Sequence, residues 1–297
     1  MRSGGPQSID EVIARLGDHL YIGDRGLATS IFLALKLEKP LFIEGEAGVG
    51  KTEAAKVMAD VLGARLIRLQ CYEGIDLAHA VYEWNYPRQL LHIRLMGEGQ
   101  DRRVAEREIF SHEFLLRRPL LDAIDNEDPT PPVLLIDEID RSDEEFEAFL
   151  LELLSDFQVS IPEIGTIKAK RAPFVVITSN RTREVHDALK RRCLYHWIDY
   201  PDLEKEVEIV RARAPEAADG LAREVAGLVQ GLRGMDLYKV PGVAETLDWA
   251  RSLAALGATR IDSTLVNATL GAALKYQEDL ERVREQVPAL VEKARGG

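Results

Sequence analysis

Residues 43–52 read IEGEAGVGKT: a glycine, four residues, then Gly-Lys-Thr. Before them PLFIEG is a short apolar run, and after them KTEAAKVMADVLG carries helix formers up to Gly63. That order leaves little freedom. The run must be a strand that stops where the glycines begin, and the lysine must open a helix. Across Gly45, Glu46, Ala47, Gly48, Val49 and Gly50 the glycines let backbone N–H groups turn into one concavity, which suits phosphate oxygens. Lys51 adds a positive charge at the β- and γ-phosphates, and the helix start adds its dipole. The Thr52 hydroxyl is placed to ligate Mg²⁺. A chance match with a merely solvated lysine would lack the flanking strand and helix.

A second segment completes such a site. VLLIDEID is an all-apolar run that ends abruptly in acids, as suits a strand of a parallel sheet covered on both faces. Asp137 at its end is placed to hold Mg²⁺, in part through water, and Glu138 to polarise a water for attack on the γ-phosphate. An enzyme transferring phosphate to a bound hydroxyl has less need of that glutamate. FVVITSN is another buried run with Asn180 at its tip. The amide either orients the attacking water or is a strand-end turn former, a role asparagine favours anyway. Arg191 and Arg192 in LKRRC either reach a neighbouring subunit's γ-phosphate or form a solvated basic helix end.

Elsewhere the pattern alternates strand and helix up to Pro201 and is helical beyond it. SIDEVIARL starts with a Ser8-x-x-Glu11 capping box, and RGLATSIFLALKLEK reads as a more buried helix. RLIRLQ is a strand, AVYEWNYPRQLLHIRL a hairpin, GEGQDRR an exposed turn, and VAEREIFSHEFLLRRPLLDAI a helix interrupted at Pro119. Tyr82, Trp84 and Tyr86 alternate, so on a strand they share one face, either packed in the hairpin or gripping a client. SDEEFEAFLLELLSDF carries a Ser142-x-x-Glu145 box and a helical apolar stripe. QVSIPEIGTIKAKRAP is two short strands around Gly165, REVHDALKRR a short helix and LYHWIDYP the last strand. After Pro201 come DLEKEVEIVRARAP, LAREVAGLVQGLR, VAETLDWARSLAALG and STLVNATLGAALKYQEDLERVREQV, each read as one helix.

The chain has 297 residues, enough for one large or two ordinary domains, and is 46% hydrophobic and 30% charged, as a globular protein with a full core is. Its net charge of -12 argues against nucleic acid as a general partner. Cys71 and Cys193 stand far apart, which suits a reducing compartment, and the histidines show no zinc-ligand spacing. The first residues have no signal-peptide pattern, and no apolar run reaches the roughly 18 residues of a membrane span. A cytoplasmic location is expected.

In order, FIEGEAGVGKTEAAKVMA, VLLIDEIDRSDEEFEAFLLELL, QVSIPEIGTIKAKRAPFVVITSNRTREVHDALKRRCLYHWIDYP and VPGVAETLDWARSLAALG resemble an AAA+ ATPase over nearly the whole chain. More narrowly they resemble the MoxR branch, and within it the ATPases that accompany molybdenum–copper carbon monoxide dehydrogenase. The resemblance implies an α/β P-loop NTPase sheet with flanking helices over residues 1–201 and a small all-α lid over 202–297. It makes Gly45–Thr52 Walker A, Asp137 and Glu138 Walker B, Asn180 sensor 1, and Arg192 the finger. Relatives have a phenylalanine after that arginine; here Cys193 follows, and Arg191 stands adjacent. Tyr21 and Ile22 fall where relatives pack adenine. Residues 158–171 would be the hairpin before sensor 1 and about 76–100 an insert, both turned to a ring's centre. ATP and Mg²⁺ are the implied cofactors. The implied partners are other copies in a ring, usually a hexamer, a von Willebrand factor A-type protein and a client metalloenzyme. Relatives start a lid helix with Ser-Pro-Arg, the arginine being sensor 2. Here KVPGVAET puts Gly242 near that position and leaves Lys239 or Arg251 as substitutes. A stand-alone small-molecule kinase and a nucleotide-gated binding module are the alternatives.

Overall fold

The computed structural model describes residues 5–96 and 108–296. The chain opens with α1 (Ile9–Asp18), α2 (Arg25–Leu37), β1 (Leu41–Gly45), α3 (Lys51–Leu62) and β2 (Leu66–Gln70). Next come α4 (Leu77–Ala80), β3 (Tyr82–Trp84), α5 (Tyr86–Met96), β4 (Leu115–Arg117), α6 (Pro119–Ile124) and β5 (Val133–Asp137). Then follow α7 (Glu144–Asp156), β6 (Gln158–Ile161), β7 (Gly165–Lys168), β8 (Phe174–Ser179), α8 (Asp187–Arg192) and β9 (Leu194–Ile198). The remaining α-helices are α9 (Leu203–Arg213), α10 (Asp219–Arg233), α11 (Val243–Ala255), α12 (Ser263–Thr269), α13 (Gln277–Arg284) and α14 (Val287–Gly296).

Five strands pair in the order β2-β5-β8-β1-β9, all parallel. Alternation within each strand divides the side chains between two cores. Phe42, Leu134, Ile136, Val175 and Ile177 pack with α6 and α7 on one face. Leu41, Ile43, Val133, Leu135 and Val176 pack with α1, α2 and α3 on the other. Because both faces are covered, β1, β5 and β8 are wholly buried. A third core, with Trp249, Val225 and Leu253 fully buried, lies among the helices after Pro201. No helix among the described residues is long and apolar enough to cross a membrane.

Four local readings are corrected. Residues 80–95 are not a hairpin. β3 pairs antiparallel with β4 instead, and Asn85 turns the chain into α5 by accepting the Arg88 N–H at 3.1 Å. Pro87 fits there because a helix's first turn does not use its N–H. Tyr82 and Trp84 therefore meet edge to face at 6.2 Å, while Tyr86 leaves their face and is exposed. Second, residues 115–117 are a strand rather than helix, since Pro119 holds Arg118 extended and Pro119 starts α6. Third, Asp143 rather than Ser142 caps α7, accepting the Phe146 N–H at 2.8 Å. Fourth, residues 263–287 are broken between α12 and α13, because a straight helix would not bring Leu270, Leu274 and Val283 into one core.

In the Ser8 box, Ser8 accepts the Glu11 N–H, but the Glu11 carboxylate takes the Gln7 N–H in place of the cap's own. The hairpin around Gly165 forms as β6 and β7, paired antiparallel. The turn expected at GEGQDRR, the start of the VAEREIF helix, the end of the insert and residues 2–4 of the loose terminus lie outside the described residues.

Candidate nucleotide site

Parallel strands carry the ends of β1, β5 and β8 to one edge of the sheet, so the loop after β1 meets Asp137, Glu138 and Asn180 there. Gly48 and Gly50 take φ of +78° and +96°, values that a side chain makes costly. Lys51 is 5% exposed and its Nζ donates to Gly45 O at 2.8 Å and Glu46 O at 2.6 Å, so the ammonium spans the loop. Burial pulls the Lys51 pKa down, against the opposing pull of Asp140, Glu46, Asp137 and Glu138.

The Thr52 hydroxyl donates to Asp137 Oδ1 at 2.9 Å. Thr178 Oγ1 donates to the same oxygen at 2.6 Å, and Arg68 Nη2 to Asp137 Oδ2 at 2.6 Å. Two hard oxygen donors side by side fit Mg²⁺, which keeps several waters and shares phosphate oxygens rather than needing a full protein cage. Among the described residues there is no group of three or more His, Cys, Asp or Glu that could hold a metal.

Glu138 has φ of 56°, an uncommon backbone for a non-glycine residue, held by its N–H donating to Thr178 Oγ1 at 3.0 Å. Its Oε1 accepts from Asn180 Nδ2 at 3.2 Å. Its Oε2 accepts from Gln70 Nε2 at 3.1 Å and Arg141 Nε at 2.9 Å. The amide of Asn180 thus faces the acid, as a water-orienting residue must.

Asp140 was quoted in the acidic strand end without a role. It is buried and accepts from Asn180 N at 3.1 Å, Thr182 N at 2.9 Å and Thr182 Oγ1 at 2.6 Å. Burial pushes its carboxyl up, but the Thr182 and Asn180 bonds outweigh that and leave it below the usual carboxylate range. Gln70, Arg68 and Thr178 were also missed. The one signal in the sequence for Gln70 was its place at the end of the strand RLIRLQ; its register with Asp137 comes only with the folded sheet.

A cavity of 370 Å³ adjoins the loop. Tyr21, Ile22 and Leu27 line one side, and Ile209, Val243 and Leu247 from the helices after Pro201 line the other. Tyr21 Oη reaches Gly50 O at 3.5 Å, and burial raises its phenol pKa, with Asp24 and Glu53 adding to the shift. The cations that α9 sends to this cavity are Lys205 and Arg213, not Lys239 or Arg251. Arg251 instead donates to Arg213 O at 2.6 Å and pairs with Glu216 at 3.4 Å. On α8 both arginines are exposed; Arg191 sits 3.9 Å from Asp187, and Arg192 donates to Leu151 O at 2.6 Å. Cys71 and Cys193 are buried free thiols, each pushed up to about 12 mainly by burial.

The model of the AAA domain, dynein-related subfamily, matches residues 40–193, just over half of the chain. The protein belongs to that family: it is an AAA+ ATPase, with a nucleotide-binding parallel sheet followed by a helical region. Among solved structures it is similar to one point mutant of Thermotoga maritima RuvB at 20% identity and a TM-score of 0.52, covering 98% of this chain and 81% of that one. A second such mutant gives 17% identity and a TM-score of 0.50, covering 100% and 82%. At these identities the likeness concerns the fold alone. No curated protein matches this sequence.

Proposed function

We propose that this chain hydrolyses ATP through water activated by Glu138 and uses the resulting movement to remodel a client protein. The observation that carries the hydrolytic part is the meeting of Glu138 and Asn180 at 3.2 Å beside the loop of Lys51 and Thr52. An acid with an amide facing it suits attack by water, and so favours hydrolysis over transfer to a bound hydroxyl. Backbone N–H groups of residues 46–52 bind the phosphates, and Lys51 leaves its loop carbonyls for the β- and γ-phosphates. Thr52 and Asp137 would hold Mg²⁺, which when bound neutralises developing phosphate charge. Glu138 frees Oε2 from Gln70 and Arg141 to take the water's proton, and Asn180 keeps the other oxygen oriented. Tyr21 and Ile22 pack the adenine.

The division into residues 1–201 and a lid of 202–297 belongs to the same reading, as does a ring in which Arg192, or its neighbour Arg191, completes the next copy's site. Exposed Leu90, Leu91 and Leu95 on α5, within the 76–100 insert, support a protein client. The resemblance to the MoxR branch supports a hexamer, a von Willebrand factor A-type partner and metal-centre assembly in a client such as carbon monoxide dehydrogenase; a cytoplasmic location of this chain belongs to the same reading. Thermotoga maritima RuvB is a Holliday junction branch migration motor; a net charge of -12 argues against a similar substrate here.

Glu138→Gln should bind ATP as the parent does and lose about 10² to 10⁴ in turnover, the usual worth of a positioned base. Titration calorimetry and a phosphate-release assay read the two quantities separately. Undiminished turnover would remove Glu138 from the mechanism.

A further inference from the structure

The lid helix α11 begins on the phosphate loop itself. The Val243 N–H, one of the donors a helix leaves free in its first turn, donates to Gly48 O at 2.9 Å. Gly242, immediately before it, lies against the same loop. A Cβ on Gly242 would stand 2.8 Å from Gly48 Cα, closer than real Cβ atoms come, and a tight 3.0 Å from Ala47 O. A Cβ on Gly48 would in turn meet Gly242 Cα at 3.1 Å. The two backbones touch because neither residue has a side chain.

This contact is held from behind. Glu245 Oε2 accepts the Gly242 N–H at 3.0 Å. Thr246, fully buried, donates its hydroxyl to Glu206 Oε1 at 2.6 Å, with Gly242 O 3.1 Å from the same oxygen. Arg233 grips both oxygens of the fully buried Glu206 at 2.7 Å and donates from Nε to Pro241 O at 2.8 Å. Its guanidinium lies over the Tyr200 ring at 4.5 Å, and Gln230 joins Glu206 to Pro201 O. The turn at 241–243 is thereby anchored both to the lid interior and to the segment that leaves β9.

In a planar trans peptide the N–H points opposite the C=O. With Gly48 O drawn toward α11, the Val49 N–H is turned away from the lid. We propose that Gly242 is a positioning residue: by letting Val243 N–H hold Gly48 O, it keeps the 48–49 peptide oriented with its N–H toward the β-phosphate of a nucleoside di- or triphosphate. The lid of this chain engages the phosphate loop through backbone, at Gly242. The inference rests on the nucleotide-binding reading above and adds to it a specific dependence on the β-phosphate.

The test compares ADP with AMP, which lacks that phosphate, by titration calorimetry on the full chain. Gly242→Ala should raise the Kd for ADP about tenfold, the order expected from losing one oriented donor to a charged group, and leave the Kd for AMP within about twofold. Val243→Pro makes the independent probe. It replaces the N–H by a ring carbon that cannot sit against Gly48 O, so it breaks the contact without adding a side chain at 242, and proline suits the first position of a helix behind an extended residue such as Gly242. It should show the same ADP-selective loss with an unchanged circular dichroism spectrum. Equal losses for ADP and AMP would mean that the lid merely moved off the base, and unchanged affinities would mean that the contact orients nothing; either overturns the proposal. If the parent chain itself bound neither nucleotide, the nucleotide-binding reading would fail first, and this inference with it.

Discussion

Three donors converge on the Asp140 carboxylate, from Asn180 itself and from Thr182 just beyond it. Its role is to hold the backbone from which Asn180 faces Glu138. Asp140→Asn keeps the shape but removes the charge that makes those bonds strong. It should lower kcat roughly tenfold to a hundredfold while the KM for ATP changes little, as steady-state kinetics will read. Because the folded pKa of Asp140 is depressed, the stability it contributes is present above the unfolded carboxylate value of about 3.9. That contribution is lost only as pH falls through the lower folded value, so Asp140 stays charged throughout the neutral range. The residues with motif identity, Lys51, Thr52, Asp137 and Glu138, were legible because their spacing is local. Asp140 was not, because its acceptors are taken by residues some forty positions later that reach it only once β5 and β8 pair.

One face of α9 closes the cavity. Lys205, Ile209 and Arg213 recur every four residues, so they line up along the helix and present a cation, an aliphatic side chain and a cation to the nucleotide space. The cations cross to the other side, Lys205 to Asp24 at 3.3 Å and Arg213 to Glu53 at 2.8 Å. The Arg213–Glu53 side chains are about a third exposed, so solvent screens the pair and its worth is about 1 kcal/mol or less. Arg213→Ala should accelerate release of a fluorescent ADP analogue up to about fivefold in stopped flow. A cycle with Glu53→Gln should give a coupling of that same small size. A coupling of zero would mean that the two groups only sit near each other. The pattern of α9 was readable as a helix from its sequence, but which face meets the nucleotide space was not, since its charged residues all look alike along the chain.

The proposed ring is tested through what one copy leaves exposed. Arg191 and Arg192 stand at the surface on α8, just before β9. A ring would add an arginine's charge at the transition state to the cations that one copy already brings to its cavity, Lys51, Lys205 and Arg213 among them. Light scattering with ATP and Glu138→Gln should then give a mass several times the 33.2 kDa of one chain. In such a ring Arg192→Ala should cut turnover by about 10³ to 10⁵ with little loss of ATP affinity. Mixing Arg192→Ala with Glu138→Gln subunits should restore part of the activity, because some interfaces then pair an intact finger with an intact acid. A monomer of full activity would exclude the ring.

Much of this protein is written in short stretches of chain. The strand, glycine loop and helix around Lys51, the acidic end of β5 and the amide end of β8 follow from local periodicity and from the few conformations glycine alone accepts easily. Those stretches suffice for the class of fold and for half of the site. The pairing of β3 with β4, the break between α12 and α13, and the cap at Asp143 instead of Ser142 went the other way. In the first two, local propensity is weak and burial of distant apolar residues outweighs it; at the third, the Ser142 hydroxyl is taken up by Ile139 O and the neighbouring Asp143 caps instead. The partners of Glu138 and the docking of Gly242 on Gly48 are beyond any local pattern. They depend on which strand ends stand side by side and on how closely two backbones approach, and such distances exist only after the sheet has formed and the lid has packed against it.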